Sequence, residues 1–279
     1  MPIQRRLVQV SAQAALVICI AFSLTAPSGA ATLKMGVLGD SMSAGTGSSY
    51  GEFPNWLTQL SSAGKFTIPS GADAAVGGAR VADLSGQFNS SGFQAALPSL
   101  NYAVVIMGGN DATAMGLDPS TIPTFIHDVV ADIASVMNAI HTANPAAHRI
   151  VATVPDVFVT PLVQQYVTQL GISPGQISAA EAAIQVANSQ IIAFAINNQI
   201  PVIDLYAATA TVTPPPPSAQ TGLITSGSVV IDGYTFTATT GLFSSDNFHP
   251  GPIVHGLLAN MVIGAADKGY AAGLTAISD

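Results

Sequence analysis

Met35-Gly36-Val37-Leu38-Gly39-Asp40-Ser41-Met42-Ser43-Ala44-Gly45 is the stretch on which the reading of the fold turns. Residues 35–38 are a short apolar run that reads as a buried strand, and the chain passes directly from it into glycine, aspartate and serine. A polar turn just past the carboxyl end of a buried strand is where open α/β sheets place their binding sites. A second apolar run, 102–107, leads in the same way into Gly108, Gly109, Asn110 and Asp111. Two separate strands thus end on polar, glycine-flanked residues. Near the C-terminus, Asp246-Asn247-Phe248-His249-Pro250 supplies an aspartate three residues ahead of a histidine, a spacing found once in the chain. A serine, hydrogen-bond donors, an aspartate and a histidine are the inventory of serine-nucleophile acyl chemistry.

With these residues in place the chain resembles the SGNH hydrolases, also called GDSL esterases and lipases. The resemblance places the nucleophile at Ser41 in its Gly-Asp-Ser context. A second block similar to the family's N-F-A-V-G-G-A is Asp73-Ala74-Ala75-Val76-Gly77-Gly78-Ala79, where Gly78 would donate a backbone N–H to an oxyanion. The third block, G-x-N-D, corresponds to residues 108–111 and offers the Asn110 amide, and the last, D-x-x-H, assigns Asp246 and His249 to the triad. Asp73 departs from the pattern, standing where asparagine is usual. The resemblance implies an oxyanion hole of Ser41, Gly78 and Asn110, no cofactor, and a small-molecule, lipid or glycan ester as substrate. The segment is not a G-x-S-x-G nucleophile elbow, because Ser43 replaces the closing glycine.

Other polar residues receive plainer readings. Asp40 is expected to brace the turn after its strand, and Asp111 to support its neighbours. Ser43 is the competing nucleophile, disfavoured by position. His127, His141 and His148 read as surface or satisfied residues, and His255, on the helix opened by Pro252, as a packing residue in preference to a pocket wall. No histidine and carboxylate pattern has metal-ligand spacing, and no glycine-rich phosphate loop follows a strand, so neither a metal nor a nucleotide is expected.

The order of elements predicts a three-layer α/β/α sandwich with a mostly parallel five-stranded sheet, of the SGNH or flavodoxin-like type. The expected strands are 35–38, the stretch before Gly77, 102–107, 149–154 and 201–205. Helices are expected after Pro54, along 122–140 with one apolar face, along 181–198, and after Pro252. Between the last strand and the histidine segment, about 213–240, four prolines at 214–217 precede apolar runs flanking Asp232-Gly233, which reads as a β-hairpin excursion. It is expected to wall an acyl pocket together with Phe243 and Phe248.

The low share of charged residues, 8 %, suits a domain outside the cell, and the N-terminus leads to the same expectation. Residues 1–31 carry Arg5 and Arg6, an apolar stretch at 14–24, then Pro27, Gly29, Ala30 and Ala31, which reads as a secretory signal peptide cut after Ala30 or Ala31. That stretch is short for a membrane span, so no stable span is expected in the mature chain, 32–279, which reads as one hydrolase domain. The one cysteine, Cys19, lies inside the stretch, so the mature protein has none. A secreted or periplasmic location follows. The formal charge of −8 becomes more negative by two when Arg5 and Arg6 leave, which disfavours nucleic acid as a partner. The oligomeric state has no signature here. A non-catalytic surface-binding protein on the same fold is the contrasting reading, but every position that the chemistry needs holds a competent residue. An acyltransferase or a carbohydrate deacetylase would use the same acyl-enzyme.

Overall fold

The structure, a computed structural model, describes residues 32–44, 54–210, 228–231, 234–237, 243–244 and 246–277. The signal-peptide segment, the prolines 214–217 and the Asp232-Gly233 turn lie outside them.

Five parallel strands form the sheet: β1 (Leu33–Gly39), β2 (Phe66–Thr67), β3 (Tyr102–Ile106), β4 (His148–Ala152) and β5 (Val202–Ile203), in the order β2-β1-β3-β4-β5. Continuous apolar sequence in β1 and β3 is explained by burial on both faces, as helix-covered parallel sheets require. In β3, Tyr102, Val104 and Ile106 point into one core while Ala103 and Val105 point into the other. The first core is closed by α1 (Trp56–Ser62) and α9 (Pro252–Tyr270), and the second by α2 (Leu84–Phe88), α3 (Ser91–Ala96), α4 (Gly109–Leu117), α5 (Ile122–Ala143) and α7 (Pro174–Asn197). Two short helices, α6 (Pro161–Gln169) and α8 (Leu205–Ala210), lie near the carboxyl ends of β4 and β5. The three-layer α/β/α architecture and its parallel sheet are as the sequence predicts.

Helix α5 shows how the pattern becomes packing. Phe125, Val129, Ile133, Val136, Met137 and Ile140 recur at three- and four-residue intervals and are the residues it buries. Each such large side chain, fully buried, contributes roughly 1.5–3 kcal/mol of transfer free energy. Facing α5, α7 buries mostly alanines, Ala180, Ala183, Ala187 and Ala195 among them, so the two helices approach closely. By length and composition α7 is also apolar enough to cross a membrane, but these buried positions pack inside the domain.

Boundaries differ from expectation at several places, among them β5, expected over 201–205 but ending at Ile203 because α8 begins at Leu205. The second strand is Phe66–Thr67, not the stretch before Gly77, because Pro69 has no N–H to continue the ladder. The chain rejoins β1 through an isolated bridge, Val37 to Asp73, with hydrogen bonds from Val37 N to Ala72 O, Ala74 N to Val37 O and Val76 N to Gly39 O at 2.8, 3.0 and 3.1 Å. Helix α1 is capped by the Asn55 side chain, which accepts from Thr58 N, so Pro54 precedes the cap. Helix α7 begins seven residues earlier than expected, at a capping box of Ser173 and Gln176 with Pro174 at its first position. The hairpin is present as antiparallel β6 (Ser228–Ile231) and β7 (Tyr234–Thr237), paired from Ile231↔Tyr234 to Ser228↔Thr237.

Candidate active site

Strand order alone selects the site's place. β1 and β3 are neighbours at the point where the order reverses direction, and such a switch point opens a crevice at the strands' carboxyl ends. Ser41 follows β1 there, and Asn110 stands in the first turn of α4 after β3.

The Ser41 turn is built largely from backbone hydrogen bonds. Asp40 Oδ1 accepts from Met42 N at 3.0 Å, and the Asp40 carbonyl accepts from Ser43 N and Ala44 N at 3.1 and 2.8 Å. Helix α1 holds the turn from outside: Trp56 Nε1 donates to Met42 O at 2.9 Å and Asn55 Nδ2 to Ala44 O at 3.2 Å. Gly39 admits no side chain, since a Cβ there would stand 2.3 Å from Ile106 O on the adjacent strand. The Gln87 amide brackets Gly39, accepting from its N at 2.8 Å and donating to its O at 2.7 Å. Ser43 is fully buried, which closes it to any substrate, while Ser41 is half-buried and lines a pocket.

Ser244 and residues 246–249 gather around one carboxylate. Asp246 Oδ1 accepts from Ser244 Oγ at 2.7 Å, Phe248 N at 2.9 Å and His249 N at 3.0 Å. Its Oδ2 meets His249 Nδ1 at 2.5 Å. Asn247 takes a left-handed conformation, φ 60°, a region that asparagine tolerates better than most residues. Its carbonyl accepts from Leu162 N at 3.1 Å, which ties the loop to α6. Burial works to raise the Asp246 carboxyl, but the bonds from His249, Ser244 and the two backbone N–H groups outweigh it and hold the group well below the usual carboxylate range. His249 Nε2 then lies 2.6 Å from Ser41 Oγ, completing a chain from carboxylate to imidazole to hydroxyl across 208 residues of sequence.

The other site residues fall around this chain. Asn110 Nδ2 donates one hydrogen to Ala79 O at 2.9 Å, leaving its second, and its side chain shares the pocket with Ser41 and His249. Gly78 precedes Ala79 with φ 77°, where an L side chain would be strained; it borders a separate depression and does not line the Ser41 pocket. Asp111 Oδ2 accepts from Val81 N at 3.1 Å, fixing the loop that carries Ala79. Phe243 and Phe248 both line the pocket, and Phe248 stands edge-on to the His249 ring, centroids 5.0 Å apart. The side chains of the hairpin lie outside the description. His255 is fully buried on α9 and is not a pocket wall; His127 sits at the surface beside Asp128, and His148 stacks on Tyr270. Among the described residues no group of histidine, cysteine or carboxylate side chains is arranged to hold a metal.

Asp40 stands apart electrostatically. Burial at 3 % exposure pushes its carboxyl up to about 6, with Asp111 adding to the rise, while the Met42 N–H and the nearness of His249 act against it. Between the ordinary value of 3.8 and about 6 the folded protein keeps this proton and the unfolded chain does not, so the stability drawn from Asp40 falls as pH rises through that window. Asp40→Asn removes the titration. Whatever constant penalty the amide carries, the stability difference should move in the variant's favour by up to about 3 kcal/mol between pH 4 and 7. Urea unfolding at several pH values checks this; a difference that stays flat with pH would refute it.

Sequence comparison fits this geometry. A model of the GDSL-like lipase/acylhydrolase family matches residues 37–256, spanning β1 to the first turn of α9. The chain belongs to that family. Family membership makes it a hydrolase. Its solved relatives share the fold at low identity: a lipase from a goat rumen metagenome (14 % identity, 84 % of this chain and 97 % of that one, TM-score 0.56). An α/β hydrolase from the metagenome of Lake Arreo, Spain, aligns with 14 % identity over 85 % of this chain and 95 % of its own, TM-score 0.52. A variant of an acetyl xylan esterase from Geobacillus stearothermophilus aligns with 13 % identity over 88 % and 97 %, TM-score 0.52. No curated protein matches the chain significantly in sequence.

Proposed function

We propose that this family member is an exported serine esterase that cleaves carboxylic esters through an acyl-enzyme on Ser41. The observation that carries the reading is the continuous hydrogen-bond chain from Asp246 through His249 to Ser41 Oγ at the wall of an open pocket. A serine hydroxyl is a weak nucleophile at neutral pH, so His249 Nε2 takes the Oγ proton as Oγ bonds to the ester carbonyl carbon. Asp246 keeps the proton of His249 on Nδ1, leaving Nε2 free to accept, and steadies the imidazolium once it forms. Negative charge on the carbonyl oxygen is met by the N–H of Ser41 and the second hydrogen of the Asn110 amide; the Gly78 N–H that the family resemblance implies would join them only if its loop turned toward Ser41, since Gly78 borders a separate depression. The tetrahedral intermediate collapses by breaking the bond to the alkoxide, which leaves with the His249 proton. Water then attacks the acyl-Ser41 ester, gives a proton to His249, and the acid departs as Ser41 recovers its hydrogen.

The test is turnover of a chromogenic ester series together with labelling by a fluorophosphonate, which reacts only with an activated serine. Stoichiometric label on Ser41, found by peptide mass spectrometry, and ester turnover support the reading; no label and no turnover remove it. Export is the second element of the proposal, motivated by Arg5, Arg6 and the apolar stretch that follows. The exported protein should begin at Ala31 or Thr32, and an N-terminus still at Met1 would dismiss cleavage.

A further inference from the structure

We infer that the pocket beside Ser41 is an acyl-chain tunnel that selects esters of medium-length and longer aliphatic acids, with its length limit set by Ala208 of α8 and Met261 of α9. The inference rests on the esterase reading and adds the substrate class to it.

The pocket begins at Ser41, Asn110 and His249 and continues between the segment after β4 and the facing surfaces of α8 and α9. Beyond those three residues the wall is mainly hydrocarbon, Val157, Val159, Leu205, Val254, Leu257 and Leu258 among it, and its other polar side chains are Asp40, Asp156, Thr160 and Thr209. Two threonines in the wall have their hydroxyls spent on backbone. Thr160 Oγ1 donates to Val157 O at 2.8 Å, and Thr209 Oγ1 donates to Leu205 O and accepts from Asp156 N, each at 2.8 Å. Asp156 Oδ1 is likewise taken by Phe158 N at 3.0 Å. A sugar or other polyhydroxylated group would lose water here and find few partners, which costs free energy for every unpaired hydroxyl. An alkyl chain loses only unfavourable hydration.

Two residues are shared with a neighbouring cavity. Ala208 and Met261 also line a second cavity, bounded on its other side by Pro201, Ile203 and Gly264. These two side chains are therefore the partition between the pocket and open space behind it. Enlarging one of them shortens the tunnel, and trimming the other lengthens it.

The experiment reads kcat/KM for p-nitrophenyl esters from acetate to palmitate, with wild type, Ala208→Trp and Met261→Ala. It is joined to direct calorimetric binding of dodecanoate to Ser41→Ala. In wild type each added methylene that enters the tunnel should raise kcat/KM by about fourfold, until the chain meets the partition. Ala208→Trp should lower the ratio of dodecanoate to acetate kcat/KM by about tenfold or more and move the optimum to shorter chains; Met261→Ala should move it to longer ones. Acetate turnover with no gain on lengthening, or a loss in Ala208→Trp that is equal at every length, would overturn the tunnel while leaving the esterase intact. Dodecanoate binding to Ser41→Ala that weakens at least tenfold with added Ala208→Trp, alongside a wild type inert to all esters, would uphold the tunnel and overturn the esterase.

Discussion

Ser41→Ala should lower kcat for any ester the protein turns over by about 10⁵- to 10⁶-fold, and His249→Ala should do nearly the same. The two changes act on one proton transfer. Without Oγ there is no nucleophile for His249 to activate, and without Nε2 at 2.6 Å the hydroxyl keeps its proton and attacks poorly. The double variant should therefore be no slower than the worse single one, whereas independent contributions would multiply. Residual acceleration over water of about 10³- to 10⁴-fold is expected from the oxyanion donors and binding alone. The fold provides a control, because Ser41 is half-buried and its turn is held by Asp40, Trp56 and Asn55. Steady-state kinetics of the three variants, with urea midpoints close to wild type, decides the matter; multiplicative losses would place the two residues in separate roles.

Asp246→Asn should cost about 10⁴-fold in kcat while preserving most of the loop. An asparagine oxygen at the Oδ1 position still accepts from Ser244, Phe248 and His249 N, so the geometry around Ser244 and residues 246–249 is retained. The amide nitrogen then faces His249 Nδ1, where the carboxylate stood at 2.5 Å. Two donors cannot share that contact, so the imidazole turns Nδ1 into an acceptor and moves its proton to Nε2, the atom that must take the Ser41 proton. The wrong tautomer is the reason for the loss. Asp246→Ala also removes the anchor of three hydrogen bonds, and its stability should fall as well as its rate. A pH series on wild type adds a sign: because Asp246 is held below the usual range, its stabilising effect is complete above the ordinary 3.8 and fades as pH falls below it. Retention of more than a tenth of wild-type kcat in Asp246→Asn would argue that tautomer control lies elsewhere.

Much of this was legible from the chain because it is local. A buried strand is an apolar run wherever it lies, so β1 and β3 were visible with their boundaries near right, and the polar residues behind them fell at a switch point once the order of elements was set. Helix α5 announced its buried face through spacing alone. What stayed hidden depends on contacts between distant segments. Gln87 gives no sign in sequence that its amide will bracket Gly39, 48 residues away, and Trp56 gives none that its indole nitrogen will hold Met42 O. The split of the second strand was readable in principle from Pro69, and the early start of α7 from Ser173, Pro174 and Gln176. Of the pocket beyond Ser41, Asn110 and His249, sequence named only Phe243 and Phe248; the walls that α8 and α9 supply come together only after the sheet has formed.

The proposed proton-handling pair is a local product and the nucleophile is not. Asp246 and His249 sit in one short loop whose hydrogen bonds are nearly all internal, whereas Ser41 reaches them only when the last helix docks against the first strand. Activity thus reports the closing of the chain upon itself. A nascent polypeptide still lacking α9 carries half a site and should be chemically silent, which would keep a hydrolase quiet during synthesis. During refolding, turnover should return after helical structure does, timed by the arrival of residues 246–270 and not by the formation of the sheet.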